Sequence, residues 1–290
     1  MIYIITGPTG SGKTSASITL SEYFNCPIVN ADAFQIYDEM NIGTAKISKD
    51  DPSYKKHYLL DIKKPNESYS VKEYQSDFRR TVDELSKKYD NIIVCGGTGL
   101  YIRASIYDYV FKEEEEPDTS DLEKMSNEEL YELLKKYDPA SCEKIHQNNR
   151  KRVIRAISIA RSSDKNKSEL EKLQDHKLIY DVRILMLNPN REQLYENVNQ
   201  RVDEMFEKGL VEEVKYLLNK YELSQTAKAA IGYKEVIEYL NGEMNLEECK
   251  ELIKKRTRNY AKRQVTFFKN QFQLEMFENK EQLIKAVKGA

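Results

Sequence analysis

Eight residues near the start of the chain, Gly7 to Thr14 ("GPTGSGKT"), have the composition and order of an anion cradle. Gly7 and Gly12 admit backbone conformations that a Cβ opposes, so the loop can fold its N–H groups around a phosphate. Lys13 brings a compact positive charge, and Thr14 a hydroxyl suited to a Mg²⁺ ion. Pro8, Thr9, Gly10 and Ser11 complete the loop. The apolar run "MIYIIT" before it reads as a buried strand, and a helix beginning near Lys13 adds its positive N-terminal dipole. The loop alone does not say whether the phosphate it holds is transferred or discarded.

Three more residues could do chemistry with that anion. Asp32 follows the short apolar run "PIVN" and falls where open α/β sheets place their ligands. A carboxylate there can hold Mg²⁺, accept a proton from a nucleophile, or simply cap a turn. Thr98 in "GGTGLY" also lies at a strand end, as a phosphate donor or as part of a plain strand-to-helix turn. Arg201 in "NQRVDEMF" sits away from much of its helix's apolar stripe, which fits a surface ion pair or a phosphate clamp. An ATPase or GTPase normally places an acid at the end of a buried strand. "IIVCGGTG" has none, although Asp32 keeps the point open.

The elements that must position these residues alternate. Residues 2–5, 27–32, 91–97 and 180–188 read as short strands, with helical patterns between and after them. That pattern predicts an α/β fold, a P-loop NTPase-like parallel sheet flanked by helices. Helical spacing of Leu194, Val198, Val202, Met205 and Phe206 predicts a helix that Gly209 stops, and residues 246–271 predict another long one. Residues 113–175 are acidic, then helical, then basic, and predict a helical insertion into a core made of residues 1–112 and 176–290.

Composition narrows the class. The chain has 290 residues, 40% hydrophobic and 32% charged, as befits a globular protein. No apolar stretch approaches the roughly 20 residues that span a bilayer. The N-terminus shows no leader-like pattern, so the expectation is a cytoplasmic protein. Cys26, Cys95, Cys142 and Cys249 are far apart, and with the scattered His57, His146 and His176 they make no metal or redox spacing.

A net charge of −2 hides two basic segments. Residues 144–163 contain Lys144, Arg150, Lys151, Arg152, Arg155 and Arg161 and no acid; residues 254–264 ("KKRTRNYAKRQ") are also acid-free. Each alone fits a solvated helix face, and the pair favours a nucleic-acid backbone. Tyr260, Phe267 and Phe268 could stack on bases, with packing the simpler role for the two phenylalanines. The run Glu113 to Glu116 reads as a solvated loop or helix start.

The stretches "GPTGSGKT", "DAFQIYDEMNIGTAK", "HYLLDIKKPNESYSV", "GGTGLY", "RKRVIRAI", "QRVDEMFEKGLVEEV", "AAIGYKE" and "TRNYAKRQVTFF" resemble the tRNA dimethylallyltransferases, in family order from Gly7 to Phe268. The resemblance implies transfer of a dimethylallyl group from dimethylallyl diphosphate to N6 of the adenosine 3′ of the anticodon, in tRNAs reading codons that begin with U. It also implies a Mg²⁺ requirement and a discarded diphosphate. By similarity, the loop from Gly7 to Thr14 holds the diphosphate, Asp32 is the base, and Thr98 and Arg201 assist. Asp32, Ala33, Phe34 and Gln35 would meet the tRNA anticodon stem-loop, as would Lys151, Arg152, Val153, Ile154 and Arg155, and Ala229, Ala230, Ile231, Gly232, Tyr233 and Lys234. Ala33 and Phe34 depart from the Ser and Met common after the Asp, Phe267 replaces a usual Trp, and the acidic segment is short. A monomer is expected. The alternatives are a P-loop kinase or NTPase acting on a small molecule, a prenyltransferase on free adenine nucleotides, and a non-catalytic RNA-binding protein; the last leaves Asp32 and Thr98 idle.

Overall fold

The structure is a computed structural model that describes residues 1–109, 111, 119–162, 166–172 and 177–289, with side chains 170–172 set aside. The glutamate run, His176 and the insertion boundaries expected at 112/113 and 175/176 lie outside the described residues. Two compact units divide the chain: Met1–Ile106 with Ile179–Ala290, and Tyr107–Leu178.

In the first unit the chain runs β1 (Ile2–Thr6), α1 (Lys13–Phe24), β2 (Ile28–Asn30), β3 (His57–Tyr58), α2 (Val71–Leu85), β4 (Ile92–Cys95) and α3 (Gly99–Ile106). The second unit holds α4 (Asn127–Tyr137), α5 (Pro139–Cys142), α6 (Arg150–Ser162) and α7 (Lys167–Lys172). The first unit then resumes with β5 (Val182–Leu187), α8 (Arg191–Glu207), α9 (Leu210–Lys220), α10 (Gln225–Lys228), α11 (Tyr233–Leu240), α12 (Leu246–Gln271), β6 (Glu275–Phe277) and α13 (Lys280–Lys288).

The strands form one sheet in the order β3-β2-β4-β1-β5-β6, and every neighbouring pair is parallel. Parallel strands covered on both faces read as continuous apolar runs, which is why "IYII", "IIV" and "ILML" were legible. One face of β1, β2, β4 and β5 packs Ile5, Ile28, Ile93 and Leu185 against Ala16 and Leu20 of α1 and Leu283 and Val287 of α13. The edge strands β3 and β6 were not anticipated. They are two and three residues long, too short for a periodicity, and Tyr58, Glu275 and Met276 are exposed.

Helix ends follow local chemistry. Asn245 and Glu248 exchange side-chain acceptors for backbone N–H groups, both at 2.9 Å, and so start α12 at a capping box. Gly209, at φ 93°, separates α8 from α9 as expected.

The second unit has its own core of Leu122, Leu130, Leu134, Ile145, Val153, Ile154, Ala156 and Ile157. Arg150 is structural there: its guanidinium donates to the carbonyls of Met125, Leu122 and Glu123 at 2.7, 3.1 and 2.9 Å. Asp138, fully buried, accepts from the Ser141 hydroxyl at 2.6 Å and the Ser168 N–H at 3.0 Å.

Candidate active site

The phosphate loop leaves the C-terminal end of β1 and enters α1, with Gly7, Gly10 and Gly12 at φ 149°, 82° and 87°. A Cβ on Gly7 would lie 2.5 Å from the Leu187 carbonyl oxygen and 2.7 Å from the Ser11 hydroxyl. The bend is therefore closed to any side chain. Asn197 of α8 holds the loop from one side, its Nδ2 donating to the Gly10 carbonyl at 2.9 Å. Gln264 of α12 holds it from another: the Thr9 N–H donates to Gln264 Oε1 at 3.0 Å, and Gln264 Nε2 donates to the Gly97 carbonyl at 2.9 Å. The Ser11 hydroxyl is buried and has no partner among the described residues.

Asp32 stands two residues past β2. Asn30, buried, ties the turn by accepting the Asp32 N–H at 3.1 Å and donating to the carbonyls of Asp32 and Leu59 at 3.2 and 3.0 Å. One Asp32 carboxylate oxygen accepts the Phe34 N–H at 3.0 Å, and the Ala33 N–H donates to the Thr98 hydroxyl oxygen at 3.0 Å. The Thr98 hydroxyl also lies in hydrogen-bond reach of the Tyr260 phenol, which lines a cavity with Asp32. Asp32 and Thr98, 66 residues apart in sequence, thus meet at adjacent strand ends, since β2 pairs with β4.

Arg201 is not a surface ion-pair residue. It is half-buried, and its Nη2 donates to the Thr44 carbonyl at 3.2 Å. The same carbonyl accepts Gln35 Nε2 at 3.1 Å. The loop carrying Thr44 is pinned by Glu213 of α9, whose carboxylate accepts the N–H groups of Asn41, Ile42 and Gly43 at 3.0, 2.8 and 3.2 Å and the Tyr233 hydroxyl at 2.6 Å. The ring of the fully buried Tyr233 occupies the space a Cβ on Gly43 would need. Lys46 and Asp61 form a buried ion pair that joins "NIGTAK" to "HYLLDIKKP". Burial lowers the Lys46 ammonium from its ordinary value despite that pair.

Asp32, Phe34, Arg201, Ile231 and Tyr260 line one cavity with Thr9, of about 70 Å³ and open to solvent on one side. Burial lowers the Lys13 ammonium; the Arg201 charge adds to this, while Cys95 and Asp32 oppose it. Burial likewise lowers Arg201, opposed by Asp32 and Glu204. Lys13 and Arg201 are thus two desolvated cations beside the loop, with Asp32 acting on both and Glu204 on Arg201, and a diphosphate bound there would meet both charges. Burial raises the Tyr260 phenol, and Asp32 adds to the rise. Burial also raises the Cys95 thiol.

The expected tRNA-facing segments divide by exposure. On α6, Lys151, Arg152 and Arg155 are exposed, whereas Val153 and Ile154 are buried in the insertion's own core. This corrects the contiguous segment, because one helix face must bury its apolar residues. Ala229 and Lys234 are exposed, Ile231 lines the cavity, Gly232 caps α11, and Ala230 and Tyr233 are buried.

The acid-free stretch of α12 meets acids from α8 and α11 and from one turn earlier on α12 itself. Lys254 pairs with Asp203 and Glu251, Arg256 with Glu235, and Arg258 bonds Asn199. Lys255, Lys262 and Arg263 are the exposed ones. Phe267 and Phe268 pack with Phe272, and Phe267 lies against Gly99.

Sequence reasoning passed over Glu213 and Gln264 as site residues and offered Tyr260 only as a residue to stack on bases. All three lie inside the quoted motifs, but their partners are remote: Gln264 meets Thr9 across 255 positions.

The family model described as IPP transferase matches residues 35–271. A tRNA dimethylallyltransferase of Anoxybacillus flavithermus is 44% identical, covering 96% of this chain and 90% of that one. A solved tRNA delta(2)-isopentenylpyrophosphate transferase of Staphylococcus epidermidis is similar at TM-score 0.73 and 36% identity, covering 99% of this chain and 97% of that one. A eukaryotic dimethylallyltransferase solved acting on tRNA reaches TM-score 0.83 at 27% identity, covering 99% of this chain and 78% of that one. The sheet order, the loop and the convergence of its motifs agree with these likenesses: the chain belongs to the IPP transferase family.

Proposed function

We propose that this protein transfers the dimethylallyl group of dimethylallyl diphosphate to N6 of the adenosine 3′ of the anticodon, in tRNAs reading codons that begin with U. The observation that carries the reading is the convergence of Asp32, Arg201 and Thr9 of the phosphate loop on one cavity, with the buried Lys13 ammonium within electrostatic reach of Asp32 and Arg201. The allylic C–O bond breaks and its electron pair leaves with the diphosphate. The N6 lone pair forms the new C–N bond, and the N6 proton passes to the Asp32 carboxylate. Charge grows on the diphosphate in the transition state, where Lys13, Arg201, the loop N–H groups and the unpartnered Ser11 hydroxyl stabilise it. In this reading Thr98 assists the same anion, and Gln35 contacts the base or its neighbours.

Mg²⁺ fits this site as a companion of the diphosphate. Thr14 offers a hydroxyl at the loop's exposed mouth, and among the described residues no cluster of three or more His, Cys, Asp or Glu could hold a metal. Such an ion would supply charge neutralisation to the leaving group, bound mainly through phosphate oxygens and water.

The target adenosine must leave its stack, at a cost of a few kcal/mol. The exposed Lys151, Arg152 and Arg155 of α6, and Lys255, Lys262 and Arg263 of α12, suit the phosphates of the anticodon stem-loop. The protein acts as a cytoplasmic monomer; no helix among the described residues is long and apolar enough to cross a membrane. Incubation with unmodified tRNA and radiolabelled dimethylallyl diphosphate, with ATP as control, tests the reading. Label in tRNA is the expected result, and ATP hydrolysis without labelled tRNA would overturn it.

A further inference from the structure

Gln264 is buried, and both ends of its amide are committed. Oε1 accepts the Thr9 N–H of the phosphate loop at 3.0 Å, and Nε2 donates to the Gly97 carbonyl, one residue before Thr98, at 2.9 Å. Only the carboxamides of Gln and Asn link a carbonyl acceptor and an NH₂ donor in one rigid plane, and Gln264 uses both on backbone partners. The fit leaves no slack: a Cβ on Gly97 would overlap Gln264 Nε2 and lie 3.5 Å from the Gly7 carbonyl oxygen. One turn earlier on the same helix face, Tyr260 lines the cavity beside Asp32.

We infer that Gln264 is a positioning residue for diphosphate binding: it fixes the phosphate loop and the Thr98 turn in their anion-receiving arrangement from α12. The inference rests on the proposed prenyl transfer for its substrate. A loop that must present several N–H groups to one anion gains affinity when its shape is set beforehand, because ordering it on binding costs free energy. β1 and the end of β4 stay bonded as far as Gly96, whose N–H donates to the Ile5 carbonyl at 3.3 Å and whose carbonyl accepts the Thr6 hydroxyl at 2.9 Å. Beyond Gly96, the loops at Thr9 and Gly97 are joined by this amide. Asn197 holds the opposite side of the phosphate loop at Gly10, so the cradle is gripped on both flanks.

The test compares wild type, Gln264→Ala and Gln264→Glu with saturating tRNA, varied dimethylallyl diphosphate, and inorganic pyrophosphate as inhibitor. In Gln264→Ala the KM for dimethylallyl diphosphate and the pyrophosphate inhibition constant rise together by about tenfold, while tRNA affinity changes by less than about twofold. Gln264→Glu is nearly isosteric and separates positioning from packing. Protonated, its carboxyl reproduces the donor and acceptor pair; ionised, it turns an acceptor toward the Gly97 carbonyl and sets a negative charge beside the cradle. Its kcat/KM relative to wild type therefore rises as pH falls from about 8 to about 6. An unchanged KM, a parallel loss of tRNA affinity, or a pH-independent ratio overturns the inference. Should Gln264→Ala fail to fold, the Gln264→Glu ratio decides alone. Should wild type transfer nothing to tRNA, the proposed function falls, and calorimetric pyrophosphate binding by the same variants still decides the role of Gln264.

Discussion

Arg201 and Gln35, 166 residues apart in sequence, donate to a single acceptor, the Thr44 carbonyl, at 3.2 and 3.1 Å. The turn bearing that carbonyl therefore aims both side chains. Its own anchor is Glu213, which takes three backbone N–H groups and a phenol. In Glu213→Gln one oxygen becomes an NH₂ that can only face those donors. Urea unfolding should show a loss of about 2–3 kcal/mol. Transfer activity should fall further than unfolding explains, because Arg201 and Gln35 lose their common reference.

Asp32 is held by its own turn and not by an ion pair among its described contacts, so its replacement need not unseat the loop. Asp32→Ala should lower kcat by about 10²–10⁴, the range of a lost general base, with tRNA binding mostly intact. Single-turnover transfer and filter binding on the same preparation check both halves. Full retained activity would remove the base role.

On α12 the cations differ in what they already do. Neutralising the exposed Lys255, Lys262 and Arg263 should weaken tRNA binding and flatten its dependence on log[salt] by about one unit per lost phosphate contact. Neutralising Arg256 should instead cost stability, since it leaves the buried Glu235 without its cation, and neutralising Lys254 removes one of the two lysines paired with Asp203. Equal salt slopes for the two sets would take α12 off the RNA surface.

Asp38 gives a pH signature unrelated to catalysis. Burial alone would raise its carboxyl, but Lys49 and Lys64, at 2.8 and 2.6 Å, outweigh it and push it down to about 2 from 3.8. A folded-state value below the unfolded one adds stability that is complete above 3.8 and is lost as pH falls through about 2. With both lysines at least half exposed, the contribution is on the order of 1 kcal/mol. Thermal melts of Asp38→Asn should lie below wild type at pH 6 and converge with it near about pH 2.

The residues alone determined the phosphate loop, the parallel sheet and the break at Gly209, because each depends on neighbours a few positions away. Apolar runs dictate buried strands, glycine permits the bend, and periodicity dictates α8 and α12. Asp32, Thr98 and Arg201 were visible as chemical types with open roles. Tertiary structure decided their company. β2 beside β4 brings Thr98 to the Asp32 turn, and the Thr44 loop draws Arg201 inward from the surface. Asp203 and Glu235, which pair with Lys254 and Arg256 of α12, and the Thr9 and Gly97 partners of the Gln264 amide, are distant in sequence and adjacent only after folding. Hydrogen bonds and ion pairs act over a few ångströms of space, a distance that spacing along the chain does not encode once partners lie on different elements.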